Sequence, residues 1–289
     1  MQTIYATFNK SITPLNELKI SVLDRAYFFG DAVYEVLRVY NGQPALLAMH
    51  LERLTASLTH LGIKCLSGIE EDLLQNIAKN KVDEGMVYVQ ASRGGSHRMH
   101  SFFKQELEPN VLIYTQPFLE HPSEAEARQG IRAITHDDLR WGCCHIKSVN
   151  LLPNCLAQSS AHQVGAQEAI LIKDDYVTEG STSNVFIVKD QITMTPPLSM
   201  NILPGTRRKY LIQALAAHGH HVIERPIKKP ELFAADEVFI TSTIKEALPV
   251  THIDQQAING GRMGPMAKRA RDLIVAHVSP AKAGVQRRS

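Results

Sequence analysis

Charge of one sign is what this chain most clearly lacks. Its 31 lysines and arginines are nearly matched by 29 aspartates and glutamates over 289 residues. That balance gives no electrostatic reason to expect nucleic acid or a membrane surface as a partner. Cysteine is scarce as well: Cys65, Cys143, Cys144 and Cys155 form no CxxC pair, and adjacent Cys143 and Cys144 are badly placed to share a metal or a bridge. Reduced, cytosolic thiols are the expectation. No apolar run approaches the roughly 18 residues that suggest a membrane span. Met1 to Tyr5 shows no basic segment leading into an apolar one, so no secretory signal is expected. Internal repeats and low-complexity tracts are missing too. These absences point to a soluble, cytoplasmic protein with no metal.

Apolar residues make up 44% of the chain, enough for a full core. The length suits two domains at roughly 100–200 residues each. Ile20, Val22 and the alternating, β-branched run Val33 to Tyr40 read as strands, and Asn41-Gly42 is a hairpin turn. His50 to Gly62 reads as a helix with Leu51, Leu54, Leu58 and Leu61 in one stripe and Gly62 as its stop. A second helix is expected over about Glu70 to Asn80, then strands at Met86–Ser92 and Val111–Thr115. Gln116 to Glu126, with two prolines and little periodicity, is the candidate linker. It divides a domain at 1–118 from one at 122–289. Beyond it, strands are expected at Ile131–Thr135, Ala169–Ile172, Asn184–Val188, Ile192–Thr195 and Glu237–Thr241. Helices are expected from Pro204-Gly205 to about His218 and from Pro265 to His277. The basic tail residues Lys282, Arg287 and Arg288 read as a frayed terminus. The class is α+β in two domains.

Polar residues gather at strand exits and helix starts, where a fold offers them to a ligand. Glu179-Gly180-Ser181-Thr182-Ser183-Asn184 presents many donors to an anion or serves as a plain turn; Glu179 itself would repel phosphate. Leu203-Pro204-Gly205-Thr206-Arg207-Arg208 opens a helix. Arg207 and Arg208 oppose the helix dipole there, unless an anion sits nearby or they are solvated. Thr241-Ser242-Thr243 follows a strand. In Arg93 to His100, Arg98 and His100 share one side if the segment is extended, and arginine grips carboxylates by a bidentate fork. Lys147, with apolar neighbours and no adjacent carboxylate, has the setting of an amine nucleophile, although a surface lysine fits as well. Cys143-Cys144-His145 and His218, His220 and His221 look like packing and an exposed helix end rather than metal sites.

Taken together, DRAYFFGDAVYEVLRVYNG, HLERL, SRGGSHRMH, IKSVNLL, EAILIKDDYVTEGSTSNVF, ILPGTRRKYL and DEVFITSTIKEALPV resemble the fold-type IV pyridoxal-phosphate (PLP) enzymes, in order and over nearly the whole chain. By that resemblance Lys147 looks like the catalytic lysine that carries PLP as a Schiff base, and Glu179 like the partner of the pyridinium nitrogen. Arg53, Thr206, Arg207 and Thr243 look like phosphate contacts, and Ser181 and Thr182 like ring-side contacts. Arg98 and His100 are similar to the carboxylate trap of D-amino-acid aminotransferases, which there reaches across a dimer interface, and Tyr34 looks like a substrate-pocket residue. The resemblance implies a small N-terminal α/β domain, a larger barrel-like C-terminal domain, PLP between them, and a homodimer. The activity it implies moves the amino group of D-amino acids to a 2-oxo acid such as 2-oxoglutarate. Aminodeoxychorismate lyase, branched-chain L-amino-acid transamination, and a PLP-binding interaction protein without turnover are the alternatives. One departure is local: the phosphate helix usually opens G-I-T-R, whereas here it reads Gly205-Thr206-Arg207-Arg208.

Overall fold

The computed structural model describes residues 3–64, 67–102, 107–118 and 124–278. Cys65, residues 119–123 of the expected linker, and Lys282, Arg287 and Arg288 lie outside the described residues. The chain forms two compact units, Met1–Glu120 with Ile146–Asn150 and His121–His145 with Leu151–Ser289. Ile146–Asn150 packs with the first unit, an excursion that the linear pattern did not announce.

The first unit contains, in chain order, β1 (Tyr5–Phe8), β2 (Ser11–Pro14), α1 (Arg25–Phe29), β3 (Ala32–Tyr40), β4 (Gln43–Pro44), α2 (Leu47–Leu61), α3 (Ile69–Lys79), β5 (Gly85–Ser92) and β6 (Asn110–Pro117). Its six strands form an antiparallel sheet in the order β2-β1-β6-β5-β3-β4. Asn41 and Gly42 both take positive φ and turn β3 into β4, the turn read from sequence. Alternation along β3 sorts its residues by face: Val33, Glu35, Leu37 and Val39 are buried, while Tyr34 and Val36 are only half-buried. Ile20 and Val22 were expected in a strand. They sit outside the strands, on the exposed stretch that leads into α1.

The second unit contains α4 (Glu124–Gln129), β7 (Ile131–Asp137), α5 (Leu152–Gln163), β8 (Glu168–Lys173), β9 (Tyr176–Gly180), β10 (Asn184–Lys189), β11 (Ile192–Thr195), α6 (Thr206–Ala217), β12 (Val222–Glu224), α7 (Lys229–Ala234), β13 (Glu237–Ser242), β14 (Glu246–Ile253), β15 (Gln256–Ala257) and α8 (Pro265–Val278). Its curled, nine-stranded sheet runs β12-β11-β10-β13-β14-β7-β8-β9, with β15 on β14. Val185 and Ile187 of β10 and Val238 and Ile240 of β13 point to one core with Ile170 and Leu248. The intervening Phe186, Val188 and Phe239 pack under Leu211 and Leu215 of α6 and Ile274 of α8. Both faces of these strands are therefore covered, which is why they read as continuous apolar runs. Behind β7 and β8, α5 buries Ala157 and Ala161 against Ala169 and Leu171.

Candidate active site

In the first unit the site begins with the buried face of β3. Glu35 receives hydrogen bonds from Arg53 Nε on Oε1 at 2.7 Å and from Nη2 on Oε2 at 2.8 Å, and His50 Nδ1 lies 2.7 Å from the same Oε2. Burial alone would raise the Glu35 carboxyl, but the charge and hydrogen bonds of Arg53, with those of His50, hold it at about 2. This ion pair reorients α2. The predicted stripe was Leu51, Leu54, Leu58 and Leu61; the buried face is His50, Arg53, Leu54, Ser57 and Leu58. Arg53 is thus rooted in the interior, with two guanidinium nitrogens fixed in direction.

One turn further along α2, Ser57 Oγ accepts a hydrogen bond from Lys147 N at 3.2 Å. Lys147 O in turn accepts from Tyr34 N at 2.9 Å, and Ser148 bridges to Val33. The segment carrying the lysine is therefore stitched to the start of β3. Lys147 Nζ lies 4.2 Å from the centre of the Tyr34 ring. Tyr34 stacks on Tyr88, which tilts against Tyr114, so three tyrosines share the half-buried face of the sheet. Burial is the main cause that raises the hydroxyls of Tyr88 and Tyr114, keeping them neutral donors. No carboxylate forms an ion pair with Lys147 among the described residues.

In the second unit Glu179 is the penultimate residue of β9 and is buried. Arg140 Nη1 donates to it, Asn184 Nδ2 donates at 3.0 Å and Leu203 N at 3.2 Å. Burial pushes Glu179 up to about 7, against the opposing pull of Arg140 and these donors. Arg140 is itself held by Asp138 at 2.7 Å, so its charge is shared between two acids. Asn184 Nδ2 also donates to Leu203 O at 3.0 Å, which ties the acid to the loop entering α6. Gly205 stands at the N-cap of α6 because a Cβ there would meet Asn184 Oδ1 at 1.9 Å. Thr206 and Arg207 follow as buried residues of the first turn, where the helix dipole favours an anion. Asn184 pairs with Thr241 across β10 and β13, so the turn holding Thr243 leaves the sheet beside the 181–183 turn.

Several expected residues occupy different roles or positions. Arg208, which was open to an anion or solvent, is buried and donates to Pro196 O at 2.9 Å and Glu224 at 2.6 Å. The hydroxyls of Ser181 and Thr182 are directed at Glu168, as is that of Ser183 at 3.0 Å. Arg98 and His100 do not join the groups above. They are exposed on a non-strand loop and both lean on the ring of Phe29, at 5.5 and 5.4 Å. The sequence reading missed Arg140 and Glu168. A charged residue just past the end of β7 and an acid opening the apolar strand β8 were the available signals. No cluster of metal-ligating side chains occurs among the described residues.

In the second unit, a buried acid paired with Arg140 and joined through Asn184 to the loop entering a helix N-terminus fits the ring nitrogen and phosphate of PLP; in the first unit, Lys147 is a half-buried amine that could carry its aldehyde. The amino-transferase class IV family model matches residues 32–253, and the chain belongs to that family. It is an aminotransferase whose cofactor is PLP. The D-alanine aminotransferase of Bacillus licheniformis is 41% identical over 92% of this chain and 94% of its own length. That of Listeria monocytogenes serotype 1/2a is 36% identical over 94% and 96%. Among solved structures, a T.th. branched-chain amino acid aminotransferase with pyridoxamine 5′-phosphate superposes with a TM-score of 0.89 at 27% identity, covering 99% of this chain and 98% of that one. The branched-chain enzyme from Escherichia coli gives 0.84 at 26%, covering 96% and 95%.

Proposed function

We propose that this aminotransferase acts on D-amino acids of D-alanine size, passing their amino group to a 2-oxo acid such as 2-oxoglutarate. The observation that carries the reading is Arg98-Met99-His100, an arginine and a histidine that both lean on Phe29 from one loop, within a chain resembling D-alanine aminotransferases along almost its full length.

PLP supplies an aldehyde carbon that captures an amino group and a ring that takes up the electrons left at Cα. Lys147 would carry the cofactor through Nζ, and the same amine, as a neutral base, would accept the α-proton and return it. As a carboxylate, Glu179 would accept the ring N–H and so favour the protonated nitrogen, and Arg140, Asn184 and Leu203 N hold it in the ionised form against burial. Arg53, Thr206, Arg207 and Thr243 would take the phosphate, and Ser181 and Thr182, in the turn fixed by Glu168, would border the ring. Tyr34 lies beside the reacting amine and shapes the substrate pocket. Arg98 and His100 hold the α-carboxylate, which decides which face of Cα meets Lys147. In a homodimer these two serve the partner's substrate, in keeping with their exposure and that of Met99 and Phe102 around them. Free thiols at Cys143, Cys144 and Cys155 support a reducing, cytoplasmic setting.

The test offers D-alanine, L-leucine and aminodeoxychorismate to the purified holoenzyme with 2-oxoglutarate. Turnover is expected with D-alanine. A preference for L-leucine, or pyruvate released from aminodeoxychorismate, would replace the reading with the branched-chain or the lyase one.

A further inference from the structure

The loop bearing Arg98 and His100 is held by a buried arginine that the mechanism above does not use. Backbone hydrogen bonds first lay the loop along the entry to α1: Arg25 N donates to Gly94 O at 3.0 Å, and Ser96 N to Leu23 O at 3.1 Å. Gly94, with φ +106, is required at this approach, since a Cβ would meet Glu108 O at 2.1 Å. The Arg25 side chain, 3% exposed, then engages all three of its nitrogens. Nε donates to Asp31 Oδ2 at 2.8 Å, Nη1 to Met99 O at 2.7 Å and Nη2 to His100 O at 3.2 Å. Arg93 also grips Asp31, with Nε on the same Oδ2 at 2.8 Å and Nη2 on Oδ1 at 3.0 Å. Phe29, one turn along α1 from Arg25, lies under the Arg25 guanidinium at 4.7 Å and receives both Arg98 and His100.

Two carbonyls in succession fix two successive peptide planes, and with them the direction in which His100 leaves the backbone. Asp31 sets the rotation of the guanidinium and thereby of both bonds. A guanidinium this well buried is stable only while its fork is filled, so the geometry is enforced rather than optional.

We propose that Arg25, braced by Asp31, is a positioning residue for substrate selection: it sets the backbone at Met99 and His100 so that Arg98 and His100 close on the α-carboxylate of a D-amino acid. This rests on the carboxylate role proposed for that pair. Arg25 touches neither cofactor nor substrate.

The test compares steady-state kinetics of holoenzyme with Arg25→Lys, which keeps the charge but loses the fork, and with Asp31→Asn, which loosens the brace. The expected result is a KM for D-alanine raised about 10-fold, the scale of one lost charge-assisted hydrogen bond. Turnover at saturation should stay within about twofold, the D-to-L preference should fall, and the cofactor absorbance should be unchanged. A lower melting temperature with KM and D-to-L ratio intact would overturn the proposal, as would a fall in kcat at constant KM. Arg98→Ala is measured in parallel. If it leaves KM for D-alanine unchanged, the carboxylate reading fails and the proposal with it. If it raises KM while Arg25→Lys and Asp31→Asn do not, the positioning role alone is wrong. Should Arg25→Lys not fold, Asp31→Asn decides by the same readouts.

Discussion

Glu35 and Glu179 show how differently two buried carboxylates can be used within one chain. Glu35 sits at about 2 in the folded state, below its ordinary value of 4.5. Its contribution to stability is present above pH 4.5 and is lost as the pH falls toward 2. Glu35→Gln should cost about 3–5 kcal/mol at neutral pH, because Arg53 keeps its charge in the interior without a counter-charge. A urea titration showing a loss under about 1 kcal/mol would contradict the buried pair as a structural element. Glu179 is displaced in the opposite direction, from 4.5 up to about 7. Its contribution is therefore present below pH 4.5 and lost as the pH rises through 7, by roughly 3 kcal/mol. In cofactor-free protein, Glu179→Gln should flatten the decline in stability between pH 5 and 8, while Asp138 continues to hold Arg140 at 2.7 Å. Equal pH slopes for variant and wild type would show that Glu179 does not ionise in this range. Lys147, Arg53 and Glu179 were legible as candidates from the motifs that contain them. Glu168 and Arg140 were not, because their work is to orient other side chains, and orientation leaves no spacing in a sequence.

At the scale of elements, the pattern-based reading succeeded where burial and periodicity agree. The helix expected over Glu70 to Asn80 is α3, with Asn80 as its C-cap, and the strands from Val33, Met86 and Asn184 stand close to where alternation or apolar runs placed them. It failed on α5, whose buried contacts are alanines while Leu152 and Leu156 face outward, so no apolar stripe marks the core side. Two glycines at helix ends separate stability from function in a way that can be measured. Gly62 caps α2 with φ +61 and has nothing within 4 Å of an added Cβ. Gly62→Ala should therefore lower stability by about 1 kcal/mol through backbone strain alone, without touching PLP affinity. Gly205 has φ −62 and ψ 132, which alanine adopts freely, yet its Cβ would displace Asn184. Gly205→Ala should weaken PLP binding about 10-fold or more, as Asn184 lets go of Glu179 and Leu203. Titration of cofactor-free protein with PLP reads both variants, and equal affinities in the two would remove Asn184 from the cofactor cradle.

At the scale of the whole molecule, the carboxylate role proposed for Arg98 and His100 predicts which subunit's site the pair serves. Arg98 and His100 are attached to Phe29 and, through Arg25, to α1, and they reach outward rather than toward Lys147 on the Tyr34 face. In a homodimer with two-fold symmetry an exposed pair of this kind is repeated on the partner, and each copy can complete the other's site. Complementation distinguishes this arrangement from one in which each subunit supplies its own pair. Lys147→Ala and Arg98→Ala are each expected to be nearly inactive with D-alanine at low substrate. Unfolded together in equal amounts and refolded with PLP, half of the dimers would be mixed. A mixed dimer contains a site with neither defect, built from the lysine of the Arg98→Ala chain and the arginine of the Lys147→Ala chain. The refolded mixture should thus recover about one quarter of wild-type activity, as random pairing of a two-fold dimer requires. If the pair serves its own subunit, every site in the mixture retains one defect and activity stays at the average of the two parents.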